Sequence, residues 1–290
     1  MTQNRQRGWA LAALGMLLVS TDSLFIRLSE LDGWTVAFLV SAFSLPVQLI
    51  AQRAFERGRP LTHFRRFPQG LLTVGLLSGI SQICFVTAVT RSTIANVVVI
   101  VAASPIVAAV VARLFFNEGT SRRMWTAILV TVAGVVIVVS GSVGEPNLIG
   151  DLLAMAAVIC FSINMNVWRR YSHQSRFVGL SIAASVTLVL SAAFAAPFGL
   201  PLRAYLACAA MGLVFNPLGR LCHTSAPRYA PAAEVALFTP VETFAATLWA
   251  WLAFQEQPAT LTFLGGTVVI LGVLYGTMGR AKAPVLARRQ

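Results

Sequence analysis

At 290 residues the chain is long enough to bury a soluble core. With 57% hydrophobic and 11% charged residues and a mean hydropathy of +0.76, it lacks the charged skin of a soluble domain, which uses roughly 25% charged residues, so most of its surface faces a lipid bilayer. The net charge of +12 does not point to nucleic acid, because the bases sit in short clusters between apolar runs and form no stripe that could follow a phosphate backbone.

Arg5 and Arg7 precede an apolar run from Trp9 to Ile26. It is too long for a secretory signal and shows no clear cleavage site, so it reads as a retained first span. About 20 apolar residues cross about 30 Å of hydrocarbon, and the runs predict spans at 8–28, 34–54, 70–90, 94–116, 123–141, 149–168, 177–197, 203–222, 232–254 and 260–279. They are continuously apolar, without the alternation of barrel strands. The fold class is therefore all-α, a polytopic membrane protein of ten transmembrane helices.

With the N-terminus cytoplasmic, cytoplasmic segments carry 19 of the 22 Lys and Arg residues, all but Arg27, Arg91 and Arg203. Glu30, Asp32, Glu145, Asp151 and Glu256 fall on the other side. The excess of bases on one side places both termini in the cytoplasm of a bacterial inner or plasma membrane.

A repeat runs through this pattern. Adding 138 pairs Ala88 with Ala226, Ala108 with Ala246, Phe116 with Phe254, Glu118 with Glu256 and Gly134 with Gly272; adding 142 pairs Gly8 with Gly150, Ser20 with Ser162, Asp22 with Asn164 and Arg27 with Arg169. Five spans, an odd number, separate the copies, so they cross the membrane in opposite directions. The chain divides into residues 1–141, residues 149–280 and a cytoplasmic tail at 281–290. Inverted five-helix repeats place a site near the midplane between the halves.

Polar side chains inside spans cost free energy when unpaired and are the candidates for function. Glu242 lies about half way along the ninth span, with Ala245, Ala246 and Trp249 following on its face. Its carboxylate can bind a cationic group or carry a proton, and Trp249 can wall a pocket. Asp22 is a second acid, with Arg27 as an alternative partner. Its echo Asn164 and Asn166 lie on nearly opposite faces of one helix. Glu234, at the start of its span, is explained by the helix dipole. Arg113 and Arg220 fall where long side chains can snorkel to the headgroups, although Asn216, Arg220 and His223 also form a polar stripe beside Pro217. Ser78, Ser81, Gln82 and Phe85 form another face, which fits helix–helix contacts better than a cavity. Ser104 is the repeat counterpart of Glu242. Pro46, Pro105, Pro217 and Pro240 are kinks or hinges, and the pairs Gly134/Gly141 and Gly272/Gly279 mark close packing.

Cys84, Cys160, Cys208 and Cys222 form no CxxC and have no His at ligand spacing, so neither a metal nor a cofactor is expected. No GxxxxGK[ST] is present, and ATP hydrolysis is not encoded. A homodimer is compatible with these features.

The run of Ala88, Ser92, Thr93, Ala95, Ser104, Pro105, Phe115, Phe116, Asn117, Glu118, Gly134 and Gly141, and its second copy through Ala233, Glu242, Trp249, Trp251, Leu252, Phe254, Glu256, Gly272 and Gly279, resembles the drug/metabolite transporter superfamily, in particular its EamA-type ten-helix members. The second copy departs from the family pattern at Glu242-Thr243, where a Glu-Pro pair is usual, with Pro240 upstream. The resemblance implies a secondary transporter that moves an amino acid, metabolite or drug-like solute, export favoured, by alternating access. Proton coupling through Glu242 or Asp22 is the accompanying expectation. A lipid-modifying membrane enzyme would need an activated nucleophile or an acid and base pair near headgroup level, and His63, His173 and His223 have no adjacent partner of that kind. A channel would need repeated polar rings.

Overall fold

The computed structural model describes residues 2–56, 60–66, 68–91, 97, 100–140, 147–255 and 260–277. Ten apolar rods account for most of these: α1 (Asn4–Ser29), α2 (Gly33–Phe55), α3 (Pro68–Arg91), α4 (Ser104–Phe116), α5 (Arg122–Val139), α6 (Leu148–Arg170), α7 (Arg176–Ala192), α8 (Leu202–Arg228), α9 (Ala232–Phe254) and α10 (Thr260–Thr277). Six of them are long and apolar enough to cross a membrane, and three more are shorter apolar helices. Their outer faces keep Leu and Val exposed, among them Leu72, Val110, Leu129, Leu206 and Leu264, which is the surface expected against lipid rather than water. Helix starts are set by side chains that accept from orphan N–H groups: Asp32 for α2, Ser121 for α5, Asn147 for α6 and Ser175 for α7.

Two boundaries differ from the hydropathy reading. α7 stops at Ala192 rather than near 197, before a Pro197/Gly199/Pro201 segment that cannot continue a helix. α8 continues to Arg228 rather than ending at 222. Its last turns, though polar, are held because Arg228 donates to the carbonyls of Ser172 (2.6 Å) and Gln174 (3.0 Å) in the α6–α7 turn. Ser92, Thr93, Ala95, Gly141, Glu145, Glu256, Gly279 and the tail, named from the sequence, lie outside the described residues.

The packing obeys a pseudo-two-fold relation that exchanges α1 with α6, α2 with α7, α3 with α8, α4 with α9 and α5 with α10. α3 packs on α6 as α8 packs on α1, α4 on α6 as α9 on α1, and α3 on α7 as α8 on α2; the pairs α5–α10 and α2–α7 map onto themselves. Each of these contacts joins one half of the chain to the other. Neither half buries its apolar faces alone, so the two repeats form one core. The repeat is also written in the backbone. Asn117 (φ 53°) and Gln255 (φ 58°), 138 residues apart, both end their helices in the left-handed region.

The α5–α10 crossing is a backbone contact. A Cβ on Gly134 would stand 2.8 Å from both the Gly265 carbonyl oxygen and the Val269 nitrogen, and main chain cannot yield as a flexible side chain does. Gly134→Ala is therefore expected to cost about 1–3 kcal/mol, the overpacking range, read as a lower Tm of the detergent-purified protein. An unchanged Tm would mean that the helices slide apart without penalty.

Candidate functional site

Three helices are broken at mid-depth, and each break presents a charged side chain. α1 is interrupted at Ser20, where Ser20 and Thr21 hydroxyls donate back to the carbonyls of Leu17 and Leu18 (both 2.7 Å). Such back-bonding competes with the ladder and bends a helix. Asp22 is in the first turn of the segment that follows. α8 widens into a π-helical turn at Met211–Phe215, immediately before Asn216 and Pro217. Pro217 has no N–H to give, and Arg220 comes one turn later. α9 breaks at Leu237 and Phe238, then restarts at Thr239–Phe254 with Pro240 in its first positions and Glu242 in its first turn. Both carboxylates thus sit at N-terminal ends of half-helices, where the backbone dipoles favour negative charge. Glu242 lies ten residues past the start of α9, roughly 15 Å along a helix axis, near the middle of a bilayer.

The breaks bring these groups together. Asn216 Nδ2 donates to Asp22 Oδ2 at 2.9 Å, while Asp22 Oδ1 has no hydrogen-bond partner among the described residues. Arg220 donates to Gln82 Oε1 and faces both Asp22 and Glu242, and the two carboxylates repel each other. Asp22, Gln82, Arg220 and Glu242 are each only half-buried despite their depth. Trp249 Nε1 donates to Ser20 Oγ at 2.8 Å, tying α9 to the break in α1 two residues before Asp22. His223 is buried, stacks on Phe161 at 5.6 Å and 20°, and has no hydrogen-bond partner on either ring nitrogen among the described residues. With both acids ionised, the triad carries one negative charge that nothing in it offsets. Uncompensated charge is costly at low dielectric, so a positive charge entering this cluster would be stabilised there.

The sequence candidates fall into two sets related by the pseudo-two-fold axis. Asp22 maps on Asn164, Asn216 on Ser78, Arg220 on Gln82 and Glu242 on Ser104. On one arm, α1, α8 and α9, three members are charged. On the other, α6, α3 and α4, all are neutral. The Asp22–Asn216 bond has its mirror in Asn164 Nδ2 donating to Ser78 Oγ at 2.8 Å. Ser104 is fixed similarly, its carbonyl accepting from Ser162 Oγ at 3.2 Å. Asn164 (4% exposed) and Ser104 (1%) are buried, and with Ser81, which donates to the Ala157 carbonyl (2.9 Å), they hold α6 against α3 and α4. Asn166 points to the other side, onto the Ala108 carbonyl (3.2 Å). Gln82 and Arg220, equivalent positions 138 apart, meet on the axis itself.

Other readings change. Arg220 does not snorkel; the extension of α8 to Arg228 puts it two turns inside the helix end. Asp22 turns to Asn216 and Arg220, whereas Arg27 lies over the Phe254 ring at 4.6 Å. Glu234 does more than face a helix dipole: Arg5 pairs with it and Trp9 Nε1 donates to it at 3.0 Å, joining α1 to α9. Arg113 is exposed beside a cleft of about 260 Å³ at the end of α4, walled by Val110, Leu114 and Trp125 and remote in sequence from the polar cluster. The four cysteines are free thiols, and no cluster of metal-ligating side chains occurs among the described residues. What sequence reasoning missed was the pairing of Gln82 with Arg220 and of Ser78 with Asn216. The signal was present: the 138-residue register, traced only from Ala88 onward, holds upstream to Ser78.

The model of the EamA-like transporter family matches this chain twice, over residues 6–140 and again over 148–277. The chain belongs to the EamA-like transporter family. It is therefore a multi-pass membrane transporter of small solutes, not an enzyme. Among curated relatives, this EamA-family chain is similar to the pseudopaline exporter CntI of Pseudomonas aeruginosa, strain UCBPP-PA14, at 25% identity over 210 residues, 70% of this chain and 73% of that one. The same exporter from strain PAO1 matches equally. A solved crystal structure superposes with a TM-score of 0.80 over 93% of this chain and 97% of that one, at 18% identity, a likeness of fold.

Proposed function

We propose that this EamA-family transporter exports a small organic solute carrying both an amine and an acidic group, by alternating access around Asp22, Arg220 and Glu242. The observation that carries the reading is the mid-depth triad of two carboxylates about one guanidinium. Arg220 supplies the pole for an acidic group, and Asp22 and Glu242 supply the pole for an amine. Helix breaks beside all three leave backbone and side chains free to rearrange around a ligand. Export is supported by the relative that is an exporter.

The unbalanced negative charge supports proton exchange. When the solute leaves, a proton takes the place of its amine on a carboxylate, so the outward step is driven by protons returning inward. The test is counterflow in proteoliposomes: internal unlabelled solute is expected to drive saturable uptake of label, which a channel does not do. Asp22→Asn and Glu242→Gln are each expected to abolish acceleration by a pH gradient. Undiminished gradient-driven transport in both variants would overturn the role of the triad.

A further inference from the structure

A second set of charges bridges the two repeats away from the triad. Arg169 lies in the last turn of α6, the first helix of the second repeat. Its Nε donates to Glu118 Oε1 at 3.3 Å and its Nη1 to the Pro227 carbonyl at 2.9 Å. Glu118 follows α4 of the first repeat, and it is held in place by the left-handed cap at Asn117 and by its own N–H bond to the Ala112 carbonyl (3.0 Å). One guanidinium thus closes the seam between α4, α6 and α8 on the basic face. The pair is about one quarter exposed on each side, 28% and 26%, so it is weak enough to break and re-form.

The register of 142 residues carries Arg169 back to Arg27, at the end of α1 on the opposite face. Arg27 lies 4.6 Å over the ring of Phe254, the last residue of α9 and the repeat counterpart of Phe116, the last residue of α4. From each repeat, the first helix therefore lays an arginine on the end of the fourth helix of the other repeat, and the two contacts sit on opposite faces of the bundle.

We propose that Arg169, with Glu118, and Arg27 are the two latches of the transport cycle, positioning residues whose release opens the basic face and the opposite face respectively. This rests on the alternating-access reading but not on the solute. Rocking about a mid-depth site must open one seam as it closes the other, and symmetry-related arginines at the two seams are placed to bias that equilibrium in opposite directions.

The experiment uses the full chain in proteoliposomes with the four native cysteines replaced by Ser and Gln82→Cys, at the position that meets Arg220, as the sole thiol, and follows its alkylation by a membrane-impermeant maleimide added to one side at a time. Arg169→Gln and Glu118→Gln are expected to raise labelling from the basic face several-fold and to lower it from the other. Arg27→Gln is expected to do the reverse, and the swapped pair Arg169→Glu with Glu118→Arg to recover the parent ratio. Equal ratios in all variants, shifts of one sign for Arg169 and Arg27, or no recovery in the swapped pair would overturn the latches. Labelling needs no solute, so opposite shifts stand even if no solute gives counterflow, which would refute only the function proposed above.

Discussion

Arg220→Leu is expected to be the most damaging single substitution at the site, abolishing counterflow and destabilising the protein by about 3 kcal/mol, the lower end of the range for breaking a buried charge pair. The lower end applies because Asp22, Arg220 and Glu242 are half-buried rather than sealed, so some hydration remains. The loss arises because two carboxylates that attract Arg220 and repel each other are left without their counter-charge. The diagnostic step is rescue. Adding Asp22→Asn and Glu242→Gln to Arg220→Leu is expected to return most of the stability while transport stays absent, measured by thermal unfolding and counterflow on the same preparations. If the triple variant is no more stable than Arg220→Leu, then Arg220 acts mainly through Gln82 and packing, and the charge balance is not what matters.

Gly15→Leu tests how the site is assembled rather than what it contains. A Cβ on Gly15 would stand 2.8 Å from the His223 nitrogen and 2.9 Å from the Gly219 carbonyl oxygen, and one on Gly219 would stand 3.1 Å from the Gly15 carbonyl oxygen. α1 and α8 therefore approach backbone to backbone, one turn or so from Arg220, and this approach brings Asp22 to Asn216. A leucine there must push the helices apart at about 3 kcal/mol, the upper end of overpacking, and the Asp22–Asn216 bond is lost with the contact. Reduced Tm together with absent counterflow is the expected result, with Gly15→Ala intermediate in both. Transport at the parent rate in Gly15→Leu would show that the α1–α8 spacing does not define the site.

The pseudo-two-fold relation explains what could be read early and what could not. Glu242, Asp22, Asn164 and Ser104 stood out because a polar group in an apolar run is conspicuous in one dimension, and the repeat flagged that Ser104 and Glu242 differ. Arg220 was harder. The predicted span ended at Cys222, so Arg220 read as a side chain within reach of the headgroups. Thr224 and Ser225 lie beyond that predicted span, yet α8 carries them as helix because Arg228 anchors the end on Ser172 and Gln174. The break at Ser20 was also invisible, since no Pro marks it; it follows from two consecutive hydroxyls bonding back to the preceding turn.

The sequence by itself determined the membrane, the ten apolar helices and the inversion of the two halves, because hydropathy and charge placement are averages along the chain and five is odd. Only the tertiary structure decided which neighbour each member of a duplicated pair meets. That outcome depends on helix rotation, where two residues turn a side chain by about 200°, and on where each helix breaks. By that geometry Asn164 and Ser104 became the mortar of one arm. Their counterparts Asp22 and Glu242 converge with Arg220 on the other.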